Sequence, residues 1–138
     1  MPTEPTFVIV GASLAGAKAA ETLRSEGFGG RVIMLGTETE RPYERPPLSK
    51  GYLLGKDEKS TIYVHEEGWY AEHEVDLRLG VTVTSVDPAG RTVTTADGQS
   101  VEFDRLLLAT GASPRKLEVP GSGRPAVSMP RSYWSLKK

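Results

Sequence analysis

Gly11-Ala12-Ser13-Leu14-Ala15-Gly16 is the first place in this sequence where residue type and spacing could do chemistry, because it joins a short apolar run to a helix-patterned segment. A glycine turn there lets bare backbone approach a pyrophosphate, and the helix that follows offers unpaired N–H groups and positive potential. Gly11 permits the tight turn and Gly16 permits close packing of helix on strand. Ser13 departs from the G-x-G-x-x-G pattern, putting a Cβ where backbone is usual and a hydroxyl that can donate to a phosphate oxygen. The plainer alternative is a strand-to-helix turn with no ligand. Glu38 is a second nucleotide signal: it follows Gly16 by 22 residues, near the spacing of about 20 expected for a carboxylate that accepts from ribose hydroxyls. Thr37 is a second candidate at the same corner, and a solvated loop acid is the alternative for Glu38.

Arg41-Pro42-Tyr43-Glu44-Arg45-Pro46-Pro47-Leu48-Ser49-Lys50 combines three prolines with several charges. Proline fixes φ, so such a loop is stiff enough to aim its cations. His65 and His73 sit among glutamates with no serine or metal-ligand partner in the pattern, and both read as surface histidines. No nucleophile-base constellation is visible, and with no cysteine there is no disulfide, thiolate metal site or redox dithiol within these 138 residues. Any redox chemistry must belong to a cofactor.

The elements that would position these residues read as an α/β unit with a parallel central sheet, opening with a mononucleotide-binding βαβ crossover. Phe7–Val10 is an apolar, β-branched run suited to a strand buried on both faces. Leu14 to Ser25 has helical spacing, with Leu14, Ala15, Ala19 and Leu23 as its apolar face. Arg31–Leu35 is a second buried strand that completes a right-handed crossover. A weaker helix is expected over Glu66–Glu74, with Trp69 and Tyr70 as packing residues. Val75–Val86, Arg91–Thr95 and Gln99–Phe103 read as strands of a small antiparallel insert, with Asp97-Gly98 as a tight turn. Leu106–Ala109 reads as a fully buried strand returning to the central sheet and ending in Thr110-Gly111.

Composition is ordinary for a globular domain, with 38% apolar and 25% charged residues and a net charge of −1. That balance supplies no basic field for nucleic acid, and no apolar run is long enough for a membrane span. The start, MPTEPT, lacks a basic region followed by an apolar one, which points to the cytoplasm. Charge is uneven: residues 1–112 carry −6 and residues 113–138 carry +5, which reads as an acidic folded body and a basic tail.

The RPYERPPLSK string, continuing into Gly51-Tyr52-Leu53 and set at this distance after a glycine turn, resembles the putidaredoxin-reductase-like, flavin-dependent ferredoxin reductases. Their relatives include apoptosis-inducing factor, and all fall in the pyridine nucleotide-disulphide oxidoreductase superfamily. The resemblance implies a Rossmann-like FAD-binding domain, in which Arg45 approaches the FAD pyrophosphate and Lys50 lies beside the isoalloxazine ring. It implies that the strand at Val83 meets the adenine through its backbone, and that the Ala109-Thr110-Gly111 turn touches FAD. It further implies electron flow from NAD(P)H through FAD to a ferredoxin-type iron–sulfur protein, an external acceptor that suits a chain without cysteine. The matching stretch runs from about residue 5 to 121. The second Rossmann unit for NAD(P)H and the later flavin-binding segment of that family are not in this sequence, so it is expected to be an N-terminal portion whose tail departs after Gly121. A nicotinamide-only dehydrogenase using Glu38, and a non-catalytic nucleotide-binding fragment, stay open beside this reading.

Overall fold

A computed structural model describes residues 3–115 and 118–123. They form two compact units: residues up to Tyr43 together with Tyr63–Gly111, and Glu44–Ile62 with the described residues from Ala112 onward. The basic tail expected over residues 113–138 falls largely outside the described residues.

The first unit is built on a parallel sheet. Strand β1 (Thr6–Val10) leads through helix α1 (Leu14–Ser25) to β2 (Arg31–Gly36), which pairs with β1 from Thr6↔Arg31 to Val10↔Leu35. After the short helix α2 (Trp69–Glu72), strand β3 (Val75–Leu79) pairs in parallel with β2. Strands β4 (Val83–Asp87), β5 (Thr92–Thr95) and β6 (Ser100–Glu102) form a separate antiparallel sheet. Strand β7 (Arg105–Leu108) then returns beside β1, giving the order β3-β2-β1-β7.

Alternate residues of β1 and β2 serve two cores. Val8, Val10, Ile33 and Leu35 pack with Val93 and Val101 of the antiparallel sheet. Ile9, Val32 and Met34 pack on the opposite face with Ala20, Tyr70 and Val75. That two-sided demand is why β2 is apolar without alternation. The α1 face is built from small residues, with Gly16, Ala17 and Ala20 buried and Ala19 and Leu23 packed at the side. Leu14 and Ala15, read as part of the apolar face, are exposed, because the sheet-facing line of the helix runs through Gly16, Ala17 and Ala20 instead. Arg24 ties the far end of α1 down, donating to the carbonyls of Phe28, Gly30, His73 and Glu74 at 2.6–2.9 Å.

Three other expectations are corrected. Val75–Val86 is not one strand of the insert: the chain turns at Gly80, so Val75–Leu79 is the edge of the parallel sheet and only Val83 onward is antiparallel. The helix expected over Glu66–Glu74 contracts to one turn, stopped where Glu74 takes φ 54°. The strand expected over Leu106–Ala109 does return to the central sheet, but as an edge: Leu107 is 42% and Leu108 59% exposed, since among the described residues only β1 pairs with it.

His65 is also no surface residue. Its side chain is 11% exposed and its ring stacks on Trp69 at 3.9 Å, with the Tyr70 ring edge-on at 5.9 Å. Burial pushes its pKa below the ordinary value, against the pull of Glu21, whose carboxylate lies 3.3 Å from Nε2. His73 stacks on the same indole at 4.3 Å. Tyr70 itself is buried, which pushes its phenol up to about 12.

In the second unit, Pro46–Ser49 and Lys59–Ile62 are single 3-10 turns, with Leu48 and Ile62 buried. Among the described residues no helix is long and apolar enough to cross a membrane, and no cluster of His, Cys, Asp and Glu could hold a metal ion.

Candidate functional site

Parallel pairing puts the carboxyl ends of β1, β2 and β7 along one edge of the sheet. The chain leaves β1 through α1 toward β2 on one side, while β7 lies on the other. That reversal of direction is where open α/β sheets form their ligand crevice.

The glycine turn occupies this point. Gly11 has φ +117° and donates its N–H to the Leu35 carbonyl at 2.8 Å. A Cβ on Gly11 would collide with the Ala109 carbonyl, so the turn and the Ala109-Thr110-Gly111 segment are in direct backbone contact. Ala109 in turn donates to Val10 O at 2.7 Å. A Cβ on Gly16 would collide with the Gly11 carbonyl, which is the close helix-to-strand approach expected of that position. Two motifs that lie nearly 100 residues apart in sequence are thus one structure.

The start of α1 suits an anion. Ser13 is extended (φ −129°, ψ −165°) and makes no side-chain capping bond, and no acidic residue occupies the first turn. The first helical hydrogen bond runs from Ala17 N to Ser13 O at 2.9 Å. The amides of Leu14, Ala15 and Gly16 therefore have no acceptor within the helix. Backbone donors, a hydroxyl not used for capping and a helix N-terminus together make a donor set that fits a diphosphate.

The second corner lies at the end of β2. Gly80 donates to Glu38 O at 3.0 Å, Val81 donates to Gly36 O at 2.8 Å, and Thr82 Oγ1 donates to Thr37 Oγ1 at 3.2 Å. These bonds bring the crossing from β3 to β4 over Thr37 and Glu38, and place Val83 at the start of β4 beside a bulge. The Val83 side chain packs on the core shared by the two sheets, which leaves its backbone as the part able to meet a ligand. The buried Tyr43 donates its hydroxyl to Glu38 Oε2 at 2.5 Å. Sequence reasoning missed Tyr43 and Thr82, whose partners are set by tertiary pairing that carries no local signal.

Arg45 and Lys50 belong to the second unit. Arg45 precedes the Pro46–Ser49 turn in a helical conformation and accepts from Leu48 N at 3.0 Å. Lys50 follows the turn, exposed, with its N–H bonded to Pro47 O at 3.1 Å. The prolines and the buried Leu48 hold this turn, so the two cations flank a rigid segment.

Comparison with known proteins points to one family. The profile of the family described as pyridine nucleotide-disulphide oxidoreductase matches residues 5–136. Rhodocoxin reductase of Rhodococcus erythropolis is 38% identical over 122 residues, covering 88% of this chain and 29% of that protein. Rubredoxin-NAD(+) reductase of Pseudomonas putida is 38% identical over 131 residues, covering 95% and 34%. Among solved structures, the putidaredoxin reductase–putidaredoxin complex superposes with a TM-score of 0.82 at 38% identity, over 87% of this chain and 29% of that one. A ferredoxin reductase from Rhodopseudomonas palustris superposes with a TM-score of 0.85 at 34% identity, over 93% and 31%. The chain therefore spans roughly a third of the length of the relatives it matches. With a parallel sheet, a glycine turn at its switch point and a small antiparallel sheet behind, the chain belongs to the pyridine nucleotide-disulphide oxidoreductase family.

Proposed function

We propose that this chain is the FAD-binding portion of a cytoplasmic flavoprotein reductase that passes electrons from NAD(P)H through FAD to a ferredoxin-type iron–sulfur protein. The observation that carries the reading is the backbone contact between the Gly11 turn and Ala109 at the carboxyl end of the sheet, beside the unpaired start of α1. In this reading the amides of Leu14, Ala15 and Gly16, with the Ser13 hydroxyl, hold the pyrophosphate. Glu38 accepts from the adenosine ribose, Thr37 lines the same corner, and the Val83 backbone meets the adenine. Ala109, Thr110 and Gly111 line the other wall. Arg45 and Lys50 enter on the resemblance of their loop, as the cations for the pyrophosphate and the isoalloxazine ring. A fixed positive charge near that ring favours its reduced, anionic form. Bound FAD would supply the conversion of hydride to single-electron transfer.

The relatives support this assignment through what they are named for: rhodocoxin, rubredoxin and putidaredoxin are their stated partners, and NAD(+) is named in one. The absence of cysteine fits an external electron acceptor rather than an internal dithiol. Titration of the 138-residue chain with FAD and with NADH, followed by calorimetry, tests the binding half of the proposal. Saturable FAD binding with little NADH binding is expected. NADH binding without FAD binding would instead favour a nicotinamide dehydrogenase using Glu38.

A further inference from the structure

Glu38 is not a carboxylate on a loose loop. Its carbonyl accepts from Gly80 N at 3.0 Å, and its carboxylate accepts from the Tyr43 hydroxyl at 2.5 Å. Tyr43 as a whole residue is only 3% exposed, so the phenol has no room to swing away. Tyr43 is itself held through an antiparallel bridge to Tyr63, and Val64 N donates to Pro42 O at 3.0 Å one step further along. The pattern repeats two residues on, where the Tyr63 hydroxyl donates to Glu40 Oε2 at 2.6 Å. The Arg41 guanidinium lies 3.6 Å over the Tyr63 ring. Two bridged tyrosines thus clamp two acids spaced i, i+2, and the clamp sits where the chain departs into and returns from the Glu44–Ile62 segment.

We infer that Tyr43 is a positioning residue for nucleotide recognition: its buried hydroxyl fixes the Glu38 carboxylate in the one orientation from which it accepts a ribose hydroxyl. The inference rests on the reading of Glu38 as the ribose acceptor. A carboxylate has two oxygens and about four lone-pair directions. A phenol bonded to one oxygen selects the carboxylate's rotamer, and it removes the ordering cost that a mobile glutamate would meet on binding. A structural tyrosine would affect every ligand alike. A positioning tyrosine affects discrimination at the ribose hydroxyls.

The test compares ADP with 2′,3′-dideoxy-ADP on the 138-residue chain, measured by calorimetry for the wild type, Tyr43→Phe and Glu38→Gln. The wild type is expected to prefer ADP by about tenfold, the usual size of a hydrogen bond to a charged group. Tyr43→Phe keeps the buried ring and should narrow that ratio to about twofold, and Glu38→Gln, which leaves both rings in place, should narrow it as far. Adding Tyr43→Phe to Glu38→Gln should then change the ratio no further, because the two act as one unit. An unchanged ratio in Tyr43→Phe, with the wild type discriminating, overturns the positioning role alone. A wild type that binds neither ADP nor FAD overturns the cofactor reading and this inference with it.

Discussion

Strands β2 and β7 flank β1 in the same parallel sheet and carry much the same apolar character, yet they meet opposite fates. Val32 to Leu35 of β2 are at most 2% exposed, whereas Leu107 and Leu108 of β7 stand 42% and 59% in solvent. Strand β2 has a partner on each edge, Val93 and Val101 of the antiparallel sheet on one face and Ala20 and Tyr70 on the other. Among the described residues strand β7 has β1 alone, and beside it a groove of ≈ 580 Å³ opens between α1 and the sheet, lined by Phe7, Ile9, Ala19, Leu23, Phe28 and Leu107. An apolar run states what a strand could bury, and its neighbours decide what it does bury. The largest expected effect follows directly. Ile33→Ala should cost about 3 kcal/mol, as a truncation in a filled core does, and Leu108→Ala about 0.5 kcal/mol, as at a surface. Urea unfolding midpoints at constant slope measure both, and equal shifts would break the comparison.

Gly11 sharpens it, because it ends β1 between the two strands. A Cβ there meets the Ala109 carbonyl just past β7, and φ +117° is strained for any side chain. Gly11→Ala should cost about 2 kcal/mol. Gly27→Ala, at φ +84° with nothing within 4 Å of the added Cβ, should cost about 1 kcal/mol. The excess should be local to β7: amide exchange at Leu106–Ala109 should speed up while Val32–Leu35 stay protected. Equal loosening of both strands would show that the turn holds the whole sheet rather than its uncovered side.

The same contrast separates what the sequence made legible from what it hid. The β1–α1–β2 crossover could be read because its strands are filled on both faces and its turn needs glycine, so composition and spacing both report it. Val75 to Val86 could not be read correctly, because an apolar pattern on both sides of Gly80 does not say that the chain changes sheets there. Leu14 and Ala15 follow helical spacing but miss the buried line by a fraction of a turn, which only the packed helix settles. At the site, the Gly11 and Ala109 motifs were legible one at a time, and their contact was not. Tyr43 stood inside the most informative stretch of the chain, but its bond to Glu38 is a tertiary fact. His65 looked exposed because its neighbours in sequence are glutamates, whereas its neighbour in space is Trp69.

His65 yields the smallest effect, confined to the covered side of the comparison. Trp69 and Tyr70, against which His65 packs, belong to the core on the α1 face of β2. Burial holds the His65 pKa below its ordinary value of 6.5, with Lys18 and His73 acting in the same direction and Glu21 and an Ala17 backbone hydrogen bond opposing. The folded chain therefore binds this proton less readily than the unfolded chain. Between the folded pKa and about 6.5 the unfolded state carries more protons, so stability rises with pH across that window. The contribution is complete above the window and drains away as pH falls through it. Glu21 and Asp97 are held below their ordinary values of 4.5 and 3.8, so their losses begin at more acid pH than the start of the His65 loss near 6.5. Thermal midpoints should drop between pH 7 and pH 5 in the wild type. His65→Phe keeps a ring against Trp69 without a titrating proton, so it should flatten that drop while leaving the more acid decline in place. A slope unchanged by the substitution would mean that the imidazole stays as free to protonate in the folded chain as in the unfolded one, and that the stack on Trp69 does not seal it from water.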